Sequence, residues 1–232
     1  MTIRKGSPWG APGALEPTAP VVGTDHDLAE ALGSPDRPGD PGSHDPLEIG
    51  LTGGDLHRSV GSPAHDPEDL RAGRGMRLPV DLGVVEPVGF VPHRSAAAAV
   101  DTDGEPLLQF CAHLVCIRRV RGLPAPPLFA RDTLVVMNAA YRKGANLAPR
   151  SHPNDGRLDV TEGRLGLWDS LRARRRMPTG THVPHPRLHQ RRVRTLERSF
   201  EHPMDLVVDS VAVGTATGVR VRCVPDALII VV

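Results

Sequence analysis

Residues 148–160 constrain the fold more than any other stretch. They set a proline turn, an Asn-Asp-Gly step and a second carboxylate between two apolar, strand-like runs. Pro153 fixes φ for a turn, Asn154 and Asp155 can fold their side chains onto nearby backbone, and Gly156 can take the left-handed conformation that follows. Leu158 and Val160 then alternate with Arg157 and Asp159, the pattern of a strand leaving the turn. Such a turn gathers carboxylate and carbonyl oxygens in a small volume, and hard cations such as Mg²⁺ take oxygens of this kind. Asn154, Asp155 and Asp159 are the candidate metal ligands; a solvated hairpin turn without metal is the alternative.

The runs on either side read mainly as β. Residues 107–120 form a long apolar strand with Arg118 and Arg119 at its exit, and residues 134–137 form the next. At the C-terminus, residues 206–208 read as a short strand, residues 219–223 alternate inward and outward, Pro225 and Asp226 turn the chain, and residues 228–232 close it. Sequential strands of this kind suggest an antiparallel sheet. Leu165, Leu167, Trp168 and Leu171 recur at helical spacing, which predicts an amphipathic helix over 166–177 with Trp168 in the core. Arg174, Arg175 and Arg176 suit its negative end. They are either a solvated face or, with Arg172, Arg191, Arg192 and Arg194, a face toward anionic lipid or phosphate.

Nearer the N-terminus, residues 47–51 read as a strand entering a glycine turn, with a helix from Leu56. A turn like Gly53-Gly54-Asp55 can present N–H groups to a phosphate, or can need its glycines only for tightness. Asp25 and Asp27 precede Leu28, Ala29, Ala31 and Leu32 as in a short capped helix. Residues 1–20 and 33–45, rich in Gly and Pro, read as an irregular arm and an exposed loop.

Several of these features occur in one order that resembles the C-terminal domain of bacterial diacylglycerol kinases and related lipid kinases. Asn138 follows the run ending at Met137, then come Ala148-Pro149, Asn154-Asp155-Gly156 with Asp159, Gly180-Thr181-His182, and Pro184-His185-Pro186. A strand pair ending at Val224-Pro225-Asp226-Ala227 completes it, so the similarity spans roughly the last hundred residues, a common domain size. Upstream, Gly53-Gly54-Asp55-Leu56 with Arg58 and Gly61 resembles a shortened form of the kinase Gly-Thr-x-Asn-Asp loop, and Val80-Asp81-Leu82-Gly83 resembles the strand after it. The resemblance implies Gly53, Gly54 and Asp55 near nucleotide phosphates, Mg²⁺ at Asp155, and Asp209 as the base that takes the lipid hydroxyl proton. Asp209 stands where these enzymes carry Asp-Gly-Glu, but Ser210 and Val211 replace the glycine and glutamate. No separate Gly-Gly-Asp-Gly-Thr loop is evident upstream.

The charges nearly cancel, 28 Lys and Arg against 27 Asp and Glu, and aromatic residues are only 3%. Neither a global field nor a stacking surface argues for nucleic acid. Cys111, Cys116 and Cys223 cannot close a disulfide framework, and Cys111, His113 and Cys116 lack the second pair that a zinc site wants. Buried thiols in a reducing compartment are the expectation. Pro184 and Pro186 keep His182, His185 and His189 off a single helical face, and the resemblance to lipid kinases, which show a similar Gly-x-His followed by His-Pro, implies a strand-entry role in place of metal. Without an apolar leader or spanning run, the expected location is cytoplasmic, with membrane association left open.

The fold expected is α+β: a β-rich, antiparallel, sandwich-like domain over 101–232, a truncated α/β nucleotide-domain remnant over 47–100 and an irregular arm over 1–46. The function expected is that of a lipid-kinase-like protein, catalytically degenerate, binding a lipid or phosphorylated ligand. The alternative is an active ATP-dependent lipid kinase using Mg²⁺ and ATP. Its expected partner is a lipid or anionic amphiphile, with peripheral membrane contact and a homodimer as further options.

Overall fold

The computed structural model describes residues 9–32, 47–93, 99–100, 106–118 and 127–232. Its N-terminal part holds strands β1 (Ala11–Pro12) and β2 (Val21–Val22), helix α1 (Asp25–Leu32), strand β3 (Leu47–Leu51), helices α2 (Gly54–Val60) and α3 (Pro67–Arg71), and the long strand β4 (Met76–Val88). Then come β5 (Val91–Pro92), β6 (Ala99–Val100), β7 (Pro106–Phe110), β8 (His113–Ile117), β9 (Thr133–Met137) and the small hairpin β10 (Tyr141–Arg142) and β11 (Ala145–Asn146). The chain finishes with β12 (Leu158–Gly163), α4 (Leu167–Arg176), β13 (Leu188–Val193), β14 (Thr195–Val208) and β15 (Val211–Val231). The loop expected over 33–45 and Arg119 at its strand exit lie outside the described residues.

One 21-residue strand, β15, joins the two parts. Its first half pairs antiparallel with β14, and its second half pairs antiparallel with β4 and parallel with β3. The path through the main sheet is β13-β12-β9-β8-β14-β15-β4-β7-β6, antiparallel apart from the β2–β3 and β3–β15 pairs. Pro225 and Asp226 therefore do not turn the chain. Asp226, at φ 53, sits in an irregularity between Val224 and Leu228 that lets a single strand continue. Likewise 206–208 is only the end of the 14-residue β14.

The apolar run over 107–120 is not one strand. It breaks at Cys111 and Ala112 into β7, which pairs with β4, and β8, which pairs with β9 and β14. Just before the break, the Phe110 ring lies across Gly83, in the space an added Cβ would need. Past the break both faces are covered. Leu114 and Cys116 join one core with Val136 and Val219, while Val115 joins another with Met137, Leu165 and Ala173. Two-sided burial explains why β8 and β9 read as unbroken apolar runs instead of alternating ones.

The helix expected over 166–177 is present as α4, but its orientation differs from expectation. Its buried positions are Ser170 and Ala173, and Trp168 is 75% exposed. Ala173 packs into the core shared with Val115, Met137 and Leu165, and the large apolar residues are left outside.

Candidate functional site

The Pro153–Gly156 turn is held from a distance by Asp81 of β4. The buried Asp81 carboxylate accepts the backbone N–H of Gly156 at 2.6 Å and of Asp226 at 3.0 Å. The Asp81 N–H in turn donates to the Pro153 carbonyl at 2.7 Å. Asn138 ties the same corner to the strand break, its amide donating to the Asp81 and Cys111 carbonyls at 2.7 and 2.9 Å. Burial raises the Asp81 carboxyl to about 6, against the opposing pull of the Gly156 hydrogen bond. Sequence reading missed this role. The available signal was a carboxylate set among apolar neighbours from Leu78 to Val85, which must find donors when buried.

The three candidate metal ligands do not converge. Asn154 turns its amide to Asp226 at 2.9 Å and to Asp81 at 3.5 Å, whereas Asp155 and Asp159 face Arg192 of β13. Arg192 contacts Asp155 directly, and its Nε lies 3.5 Å from Asp159. Burial raises Asp159 to about 6. A guanidinium thus supplies the cationic charge of this turn, and among the described residues no group of three or more acidic, His or Cys side chains is placed to hold a metal. The residues as arranged do not fit a Mg²⁺ cage.

The glycine turn after β3 opens α2, whose first N–H groups point toward α1. Asp25 takes them: Asp55 and Leu56 donate to its two carboxylate oxygens at 2.6 and 3.0 Å. Gly54, at φ 96, leaves room for this carboxylate, since a Cβ there would stand 2.5 Å from Asp25 Oδ1. The Asp55 side chain points elsewhere, accepting the Lys143 N–H at 2.7 Å from the β10–β11 turn. Ser59 accepts the Ala140 N–H at 2.9 Å, which fastens α2 to the same hairpin. Gly53, Gly54 and Asp55 therefore form a helix start capped from within the chain. β2 and β3 run parallel and each leads into a turn and a helix, so Gly23-Thr24-Asp25 repeats the layout of Gly53-Gly54-Asp55.

Asp209 and Ser210 make the two-residue turn between β14 and β15, with φ of 40 and 75. Asp209 is only 1% exposed, and it accepts the N–H groups of Cys111, Ala112 and His113 at 2.8, 3.0 and 2.8 Å. These bonds create the break between β7 and β8. Burial raises Asp209 to about 7, with the nearby Asp25 adding to the effect. His113 Nδ1 is 3.8 Å from Asp209 Oδ1, but burial lowers His113 to about 3, so the imidazole is neutral.

A separate groove of about 520 Å³ lies between β12, β13 and the loop after α4. Ala148, Pro149, Val183 and Pro184 give it an apolar side, and Arg150, Arg191 and Arg192 line it against the single carboxylate of Asp159. Arg191 is 3.4 Å from Glu162, and Arg150 is exposed. His182 is buried nearby in the chain, and burial lowers it to about 4.

An antiparallel sandwich whose sheet continues into a parallel strand–turn–helix pair is the architecture of a known class. Residues 126–232 match the family described as the YegS C-terminal NAD kinase beta sandwich-like domain. Two structures described as a "putative diacylglycerol kinase from Bacillus anthracis str. Sterne" share the fold at TM-score 0.61 and 12% identity, covering 90% of this chain and 76% of theirs. A structure of diacylglycerol kinase from the same organism matches at TM-score 0.55 and 14% identity, covering 90% of this chain and 74% of that one. Among curated protein sequences none matches. The chain shares the fold of these structures, and its C-terminal part matches the YegS C-terminal domain family.

Proposed function

We propose that this protein keeps the lipid kinase fold as a binding module for an anionic amphiphile and has lost phosphoryl transfer. One observation carries the loss: the two sets of groups that transfer would need are each engaged by the chain itself. The α2 N–H donors are held by Asp25, and the Asp209 carboxylate accepts three backbone N–H groups beneath the surface. Phosphoryl transfer depends almost wholly on positioned donors and charge, so occupying them internally removes most of the rate advantage. Binding is supported by the groove, which sets apolar side chains beside three arginines.

The active-kinase reading has one observation in its favour. A carboxyl held at about 7 is in the range suited to a general base near neutral pH. Calorimetry separates the two. Dihexanoyl phosphatidic acid, soluble and short-chained, is expected to bind the wild type and to bind Arg150→Ala/Arg191→Ala more weakly, while ATP·Mg²⁺ gives no heat. Micromolar ATP binding, with lipid phosphorylation that disappears in Asp209→Asn, would restore the kinase reading.

A further inference from the structure

Helix α4 is built inside out. A surface helix normally turns its large apolar side chains to the core, yet Leu167, Trp168 and Leu171 are 58%, 75% and 36% exposed while Ser170 and Ala173 are buried. Trp168 alone exposes most of a large ring, and the three together present roughly 300 Å² of apolar surface, the size of the largest patch on a typical soluble monomer, which is often functional. The same helix carries Arg172, Arg174, Arg175 and Arg176 against one acid, Asp169, which lies 3.5 Å from Arg172.

A second feature adjoins it. A hollow of about 230 Å³ is lined by Arg118, Arg131, Arg164 and Asp132. Asp132 answers Arg118 at 3.7 Å, while Arg131 Nη1 is buried without a hydrogen-bond partner. Arg164 lies just ahead of Leu167 in the chain, within about 11 Å even if fully extended. A donor-rich hollow beside an apolar helix face thus offers both a place for an anionic headgroup and a face for acyl chains.

We propose that α4 docks the protein on an anionic bilayer: Leu167, Trp168 and Leu171 enter the interface, the α4 arginines lie at headgroup level, and the Arg118–Arg131–Arg164 hollow receives a lipid phosphate. Tryptophan and leucine interleaved with arginine on a short helix is the composition of interfacial helices, in which long cationic side chains reach outward while their stems lie on apolar surface. The charge surplus commits the face to an anionic surface over a neutral one. This site is distinct from the groove ligand proposed above and does not depend on it.

The test is sedimentation with phosphatidylcholine vesicles, with and without phosphatidylglycerol. Wild type is expected to pellet only with phosphatidylglycerol present, and Trp168 emission in a Trp9→Phe background is expected to shift to the blue. Trp168→Ala/Leu171→Ala should weaken binding about tenfold or more. Arg174→Gln and Arg175→Gln should each weaken it about fivefold, and Arg131→Gln should lower the preference for the anionic lipid. All these side chains are at least partly exposed, and matching thermal melts would show that the variants fold. Equal pelleting of wild type and the double variant, equal binding to both vesicle types, or no blue shift would overturn the proposal. So would a lipid-free dimer abolished by Trp168→Ala, which would assign the face to a second copy of the chain. Binding of dihexanoyl phosphatidic acid needs no bilayer, so a failure of the groove reading would be seen separately.

Discussion

Replacing Asp81 tests whether the central turn is held by tertiary contact or by its own sequence. Asp81→Ala removes the acceptor of two N–H groups, the buried one of Gly156 and the half-buried one of Asp226. At about 1–3 kcal/mol for each donor left without a partner, the loss is about 2–6 kcal/mol. For a chain of this size that lowers Tm by roughly 4–24 °C. Asp81→Asn keeps the shape and one acceptor, and its penalty depends on pH with a definite sign. The folded carboxyl is raised to about 6 from 3.8. A raised value means that Asp81 contributes stability fully present below the unfolded pKa and lost as pH rises through about 6. Asparagine does not titrate, so the Asp81→Asn penalty is expected to shrink by up to about 3 kcal/mol between pH 4 and pH 8. Urea denaturation of both proteins across this range measures it. An Asp81→Ala loss under about 1 kcal/mol, or an Asp81→Asn penalty that grows with pH, would refute the role given to this residue.

Four further outcomes are expected. Asp25→Ala uncaps α2 and should cost about 1–2 kcal/mol in urea denaturation. Ser210→Gly relieves a non-glycine residue at φ 75 and should stabilise the fold by about 1 kcal/mol, since the left-handed region is costly for residues with a Cβ. Millimolar Mg²⁺ should leave the wild-type Tm unchanged, because Arg192 already faces Asp155 and Asp159; a rise comparable to that of a saturated site would restore the metal reading. His182 is buried with neither ring nitrogen bonded, and its folded value is lowered to about 4 from 6.5. Its contribution is present above pH 6.5 and lost as pH falls toward 4, so His182→Leu should gain up to about 3 kcal/mol over wild type across that window.

The sequence by itself determined the elements whose causes are local. Pro153 and Gly156 mark a turn wherever they are placed, and the alternation over 219–223 makes a strand from its own spacing. The order of motifs from Asn138 to Ala227 was enough to indicate the fold. Tertiary structure alone decided what those elements hold. Asp81 meets Gly156 across 75 positions of the chain, and Asp209 meets Cys111 across 98. A one-dimensional pattern carries no record of which distant N–H groups a carboxylate will reach. Asp25 shows the same limit, since it reads as the cap of its own helix and instead caps the next one, because β2 and β3 run parallel and bring both helix starts together. Helical spacing put Leu167, Trp168 and Leu171 on one side of α4, but periodicity fixes only the relative positions of side chains around a helix. Which side faces inward was decided by tertiary packing, which takes Ala173 into the core with Val115, Met137 and Leu165 and leaves Trp168 outside.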